Sequence, residues 1–310
     1  MKCLVTGAAG FIGSSLCREL LKRNHQVIAF DNFSDENKWK TLADLNIKIF
    51  HGSIDDAQSL APLALYQFDV IFNEAACSDT LERNGNKIYQ HNIAGLRNII
   101  ALGKATCKDG VVVHASSAAT YGKQDTIFKE NELQTPVNLY GWSKKQNDLD
   151  IMSSVDYPVI GLKYFNVYGP GEEYKEHMMS VVGQKIHEAR STGAVKLFEG
   201  DGVTYKNGEQ KRDWIYIDDV VEMTIMAAKA KTPGVFNCGT GEARTFLEIR
   251  DLIAKELGDL PLEIEWISNP HEDTYQNYTQ ADMTQFKEHI GEHKCLTLEE
   301  GIRKYINATR

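Results

Sequence analysis

From the first residue onward, short apolar runs alternate with stretches in which apolar residues recur every three or four positions. This is the rhythm of a parallel sheet covered by helices on both faces. Strands are expected over residues 3–6, 27–31, 48–51, 70–73, 111–115 and 159–165. The runs Val70-Ile71-Phe72 and Val111-Val112-Val113 show no polar alternation, which predicts strands buried on both sides. Between the first two strands, Phe11, Leu16, Leu20 and Leu21 form one helical stripe. After Tyr164 the pattern shifts to longer polar loops containing Gly169-Pro170-Gly171 and Asp201-Gly202, with helices expected near 178–190, 219–230 and 246–257. The expected fold is α/β: a doubly wound parallel sheet over 1–166 with 213–243, and a smaller mixed α/β lobe over 167–212 with 244–310. No repeat, low-complexity tract or linker-like segment separates the two, so they should pack together across a cleft.

Composition narrows the classes. A chain of 310 residues, 42% apolar and 25% charged, has the make-up of a soluble globular protein able to bury a large core. No apolar run is long enough to span a bilayer, so no membrane partner is expected. The net charge of -9 argues against nucleic acid, which demands a dense basic surface, but a small diphosphate can still be held by helix amides and one or two arginines. Met1-Lys2 leads straight into Cys3-Leu4-Val5-Thr6-Gly7, a strand and turn that leave no room for a signal peptide, and the expected location is cytoplasmic. The cysteines at 3, 17, 77, 107, 238 and 295 form no CxxC pair, so buried reduced thiols and no metal site are expected.

Candidate chemistry begins at Gly7-Ala8-Ala9-Gly10-Phe11-Ile12-Gly13, between the first strand and the first helix. There, Gly7, Gly10 and Gly13 permit a tight turn and bring backbone amides to a pyrophosphate at the helix N-terminus. Asp31 ends the second strand, about where an acid that holds adenosine ribose hydroxyls stands; alone it would read as a turn residue, and with the glycines it points to a Rossmann-type dinucleotide site. The carboxylate disfavours the extra phosphate of NADP, while Lys38 just beyond it is able to pair with that phosphate, so NADP or NAD both stay open. Tyr140 and Lys144 stand four residues apart, on one face if helical. A phenol is a poor base at neutral pH, and a nearby ammonium favours its phenolate form. Ser117, ending the preceding buried strand, is the preferred partner of a reacting hydroxyl, with Ser116 the less favoured choice. Together Ser117, Tyr140 and Lys144 suit reversible hydride transfer between a carbinol and a nicotinamide.

Glycines, acid, serine and the Tyr/Lys pair in this order resemble the extended short-chain dehydrogenases/reductases along essentially the whole chain. Asn73-Glu74-Ala75-Ala76-Cys77-Ser78, His114-Ala115-Ser116-Ser117-Ala118-Ala119-Thr120-Tyr121-Gly122, Tyr164-Phe165-Asn166-Val167-Tyr168-Gly169-Pro170, Lys196-Leu197-Phe198-Glu199-Gly200, Arg212-Asp213-Trp214-Ile215-Tyr216 and Thr279-Gln280-Ala281-Asp282 resemble more narrowly the ADP-glycero-manno-heptose 6-epimerase family. The resemblance implies inversion of C6 in an ADP-heptose for lipopolysaccharide core synthesis, with tightly bound NADP or NAD and a homo-oligomer, pentameric in that family. It assigns Phe11, Ile12, Asp31, Asn32, Lys38, Glu74, Ala75, Ala76, Cys77, Ser78, Asn92, Tyr140, Lys144 and Val167 to the cofactor. To the ADP-sugar it assigns Ser117, Asn166, Phe198, Glu199, Gly200, Asp201, Arg212 and Tyr275. Lys175 is implied as a second acid/base, serving the oxygen after the aldehyde rotates; on residue type alone it reads as a solvated loop lysine. His177 and Gln184 stand where that family has serine and histidine in the substrate pocket, and the segment from Lys38 to Ser53 is longer. A sugar-nucleotide 4-epimerase and a 4,6-dehydratase share the fold, although Ala118 and Ala119 replace the acid pair a dehydratase places beside its serine. The reading from another class is a cofactor-binding scaffold without chemistry.

Overall fold

The computed structural model describes residues 1–310 except Glu36, Val155, Lys231, Leu260 and His271, and except the side chains of His177 and Asp273. The chain runs β1 (Lys2–Thr6), α1 (Phe11–Lys22), β2 (Gln26–Asp31), β3 (Lys48–His51), α2 (Ala57–Leu60), β4 (Val70–Asn73), α3 (Gly85–Ile88), α4 (Gly95–Thr106), β5 (Val111–Ser117), α5 (Leu139–Ser153) and β6 (Val159–Tyr164). Then follow β7 (Asn166–Tyr168), α6 (Val181–Thr192), β8 (Ala194–Phe198), β9 (Lys211–Tyr216), α7 (Ile217–Ala227) and β10 (Gly234–Cys238). The last elements are β11 (Ala243–Thr245), α8 (Phe246–Glu256), β12 (Glu263–Ile267), α9 (Thr284–His289) and α10 (Leu298–Ala308).

Seven strands form one parallel sheet in the order β10-β6-β5-β4-β1-β2-β3. The order reverses between β1 and β4, which opens a crevice at the strand C-termini. Successive side chains of β1 serve opposite layers: Cys3 and Val5 join the larger apolar cluster, while Leu4 joins the smaller one with Ile71 and Val112. The expected double winding is therefore present. Strand β5 runs two residues past its expected end, to Ser117. Strand β6 stops one residue early, at Tyr164, and the Phe165 amide closes its ladder by donating to the Cys238 carbonyl of β10 at 3.1 Å. The helix expected near 178–190 begins at Val181, where Ser180 caps it by accepting from the Gly183 amide at 3.0 Å.

Two smaller sheets were not resolved by the sequence pattern, β11-β9-β7 and the parallel pair β12-β8. The larger apolar cluster runs without a break from Cys3 to Ile306. Its last contributor, α10, starts in a Thr297/Glu300 capping box and buries Leu298, Ile302, Tyr305 and Ile306. Gly301 makes that docking possible, since a Cβ there would lie 1.9 Å from the Tyr168 hydroxyl of β7. All six cysteines are free thiols; four are buried, while Cys77 and Cys295 are partly exposed.

Candidate active site

The glycine turn is shaped by close approach. Gly7 has φ +64°, and a Cβ on it would lie 2.6 Å from the Ala75 amide nitrogen; one on Gly13 would lie 2.1 Å from the Gly7 carbonyl. The loop after β4 is thus pressed onto the turn. Gly10 caps α1 with no side chain on its first amides, which leaves a helix N-terminus suited to a diphosphate. Asp31 accepts from the Ala9 amide at 3.0 Å and the Phe33 amide at 2.8 Å, so its carboxylate also ties β2 to the turn. Asn32 accepts from the Ser34 amide, and Lys38 donates to the Ser34 hydroxyl at 3.1 Å.

These groups line a cleft of about 480 Å³, with Gly7, Gly10, Phe11, Ile12, Gly13, Asp31, Asn32 and Lys38 along one part. Glu74, Ala75, Ala76, Cys77 and Ser78 line the wall from the β4 loop, and Ser117, Tyr140, Lys144, Val167 and Lys175 complete it. Helix α5 is started by Asn138, which accepts from the Gly141 amide at 2.8 Å, and that cap sets Tyr140 and Lys144 one turn apart. Ser116 and Ser117 both line the cleft but differ in their bonds: the Ser116 hydroxyl donates to buried Asp148 at 2.6 Å, whereas the Ser117 hydroxyl accepts from the Ala119 amide. Asp148, on the Lys144 face of α5, also pairs with Lys163, whose ammonium reaches Thr120 and Gln134. Nothing in the sequence pattern marked Asp148 beyond its place four residues after Lys144.

Burial pushes the Tyr140 phenol above its ordinary range, opposed by its hydrogen bond with Ser117. The Lys144 ammonium donates to the Ala115 carbonyl at 2.6 Å and lies 5.8 Å from the Tyr140 ring centre, and burial brings it down to about 8 against the pull of Glu74 and Asp148.

Asn92 stands behind the wall rather than on it. It sits in a π-helical turn, Tyr89–Ala94, between α3 and α4. Its amide exchanges hydrogen bonds with the Cys77 backbone, at 2.8 and 3.1 Å, and donates to Ser143 at 2.8 Å, clamping the β4 loop to α5. Lys175 is no solvated loop lysine: it lines the cleft with its ammonium 4.6 Å from the Phe11 ring centre, and burial lowers its pKa against the pull of Glu172.

The residues assigned to the sugar nucleotide divide. Arg212 is buried on β9, 4.7 Å from the Tyr275 ring centre, and Tyr275 meets Phe198 edge-on at 5.4 Å. Among the described residues no acidic side chain pairs with Arg212, and burial pulls its pKa down. Strand β9 pairs with β7, where Asn166 accepts from Thr279 at 3.2 Å beside cleft-lining Val167. Exposed Glu199 and partly buried Gly200 and Asp201 form a turn closed on itself, Asp201 taking the amides of Val203, Thr204 and Tyr205. Gln184 donates to the Met179 carbonyl at 2.9 Å. The His177 side chain lies outside the described residues. Asp219, His293 and Cys295 gather at the start of α7, where Asp219 holds His293 at 2.8 Å and the Leu296 amide at 3.0 Å.

The fit to a dinucleotide rests on the uncapped start of α1, the glycine cradle that a Cβ would fill, and the acid ending β2. Comparison with known proteins agrees. The chain is 37% identical to an ADP-L-glycero-D-manno-heptose-6-epimerase of Alkalilimnicola ehrlichii over 98% of its own length and 96% of that protein's. Its fold matches a crystal structure of the Helicobacter pylori ADP-L-glycero-D-manno-heptose-6-epimerase with TM-score 0.89 and 32% identity, covering 99% of this chain and 95% of that one. It also matches a UDP-glucose 4-epimerase of Thermotoga maritima, solved with UDP-glucose, with TM-score 0.88 and 27% identity over 100% and 98% of the two chains. Residues 3–239 match a family pattern as well, and with these relatives they establish that the chain belongs to the NAD dependent epimerase/dehydratase family.

Proposed function

We propose that this protein inverts C6 of the heptose in ADP-D-glycero-D-manno-heptose, giving the L-glycero epimer used in the lipopolysaccharide core, by transient oxidation and re-reduction. The observation that carries the reading is the convergence of Ser117, Tyr140, Lys144 and Lys175 on the cleft that begins at the glycine turn. A bound NAD or NADP supplies the hydride acceptor and donor. The amides at the start of α1 and the Asp31 end of β2 hold it; Lys38 beside Asn32 favours a 2′-phosphate and Asp31 favours its absence, so both cofactors remain in the reading.

Ser117 orients the reacting C6 oxygen, and Tyr140 takes its proton as the carbonyl forms. Lys144, anchored on the Ala115 carbonyl, fixes the geometry of that end of the cleft. Lys175 serves the oxygen after rotation about C5–C6 presents the opposite carbonyl face. Arg212, a buried guanidinium with aromatic neighbours, offers a planar fork to the diphosphate, with Tyr275 and Phe198 next to it and Asn166 on the adjoining strand β7. In this reading residues 167–212 and 244–310 form the sugar-binding lobe, and the protein works in the cytoplasm as a homo-oligomer.

NMR of the product after incubation with ADP-D-glycero-D-manno-heptose tests the proposal: the L-glycero epimer is expected, and unchanged substrate overturns it. The likeness to the Thermotoga maritima fold keeps a 4-epimerase as the second reading. A Lys175→Ala variant separates them, since C6 inversion needs the second proton donor and C4 inversion leaves Lys175 dispensable. Release of nicotinamide dinucleotide on denaturation, with no turnover of any sugar nucleotide, would instead identify a scaffold.

A further inference from the structure

Glu74 follows β4 directly, where the chain abuts the glycine turn; a Cβ on Gly7 would lie 2.7 Å from its carbonyl carbon. Its side chain lines the cleft together with Lys144. One carboxyl oxygen, Oε1, lies 3.1 Å from the Tyr164 hydroxyl, which lies 2.9 Å from the Thr224 hydroxyl, which in turn lies 2.7 Å from the Val220 carbonyl. The other oxygen, Oε2, is buried with no hydrogen-bond partner. The Tyr164 hydroxyl donates to Oε1, so Oε2 is the oxygen whose charge no group among the described residues answers, and a proton there removes that cost.

The surroundings favour the same state. Burial pushes the carboxyl up to about 7, against the opposing pull of Tyr164 and Lys144. The groups facing it are Cys17 of α1, Lys144 of α5, Tyr164 of β6, Thr224 of α7 and Cys238 of β10, and burial keeps both thiols and the phenol protonated. Lys144 is the one cation in this set, and it is anchored on the Ala115 carbonyl. An ionised Glu74 would leave a buried carboxylate oxygen unpaired, which is costly without a positive partner.

We propose that Glu74 carries a proton in the cofactor-free protein and releases it when an oxidised nicotinamide cofactor binds, so that the site holds the oxidised ring in preference to the reduced one. This rests on the cofactor reading above. The oxidised ring carries a positive charge that pairs with the carboxylate; the reduced ring is neutral and leaves the proton in place. The proton passes to solvent and no electrons move.

Isothermal titration of cofactor-free protein with NAD⁺ and with NADH, each at pH 6 in two buffers of different ionisation enthalpy, counts the protons. Release approaching ~1 proton per NAD⁺ and close to none per NADH is expected, with NAD⁺ affinity rising by up to about tenfold per pH unit below neutrality. Lys87 and His91 also line the cleft, so the comparison is made against Glu74→Gln, which should still bind but lose the proton release and lower the NAD⁺ over NADH affinity ratio roughly tenfold. Infrared difference spectra of the unmutated protein should lose a protonated-carboxyl band on NAD⁺ binding, which tests the idea even if the variant does not fold. Binding of NAD⁺ without proton release, or equal release in Glu74→Gln, overturns the proposal. Absence of binding by either cofactor, NADP forms included, overturns the cofactor reading instead.

Discussion

Tyr140 and Arg212 are polar groups held where water is scarce, and each bears a cost that binding or chemistry must answer. Tyr140→Phe should keep the cleft and the cofactor yet lose about 10²- to 10⁴-fold in epimerisation, because only the proton path is removed. Cofactor released from the denatured variant, beside its turnover number, checks this. Arg212 gives a sharper signature, since it is a buried cation with no acidic partner among the described residues, an arrangement unfavourable in the free protein. Arg212→Met should therefore leave the melting temperature unchanged or raised while weakening ADP-sugar binding roughly tenfold to hundredfold, measured by thermal scanning and titration. A structural arginine would show the opposite pair. Tyr140 and Lys144 were legible in the sequence because a helix turns four-residue spacing into proximity. Their protonation was not, because it depends on how deeply both are buried, a property of contacts made far along the chain.

Helix α5 is fixed to the sheet by more than its apolar side. Asp148 receives the Ser116 hydroxyl and the ammonium of Lys163, which is 1% exposed and bonded as well to Thr120 and Gln134. Asp148→Asn would strand that cation in the interior and should destabilise the protein by about 3–5 kcal/mol, seen as a lower denaturant midpoint with unchanged slope. Ser116→Ala, which removes one hydrogen bond and leaves the ion pair, should cost about 1 kcal/mol. The buried strands of the large sheet were readable because each is a continuous apolar run. Strands β7 and β11, three residues each with mixed burial, carry no such run, and the π-helical turn that aims Asn92 at Cys77 and Ser143 has no periodicity of its own.

One apolar cluster joins the first strand to the last helix, so the two ends of the sequence stabilise each other. A chain cut before Leu298 would uncover Tyr168 and lose the burial of Leu298, Ile302, Tyr305 and Ile306. At roughly 1.5–3 kcal/mol for each large side chain, that loss rivals the whole stability of an ordinary domain, and the truncated protein should aggregate or show a broad, early melting transition. The alternating pattern of the first half foretold the sheet, but not that its closure depends on the final turns of the chain, because Gly301 looks like any helix-weakening glycine until Tyr168 is seen beneath it. The dependence also sets an order of events on the ribosome. The early strands can assemble as they emerge, but β10 and α10 arrive late, so the nascent chain must carry an unsealed apolar surface until α10 has cleared the exit tunnel.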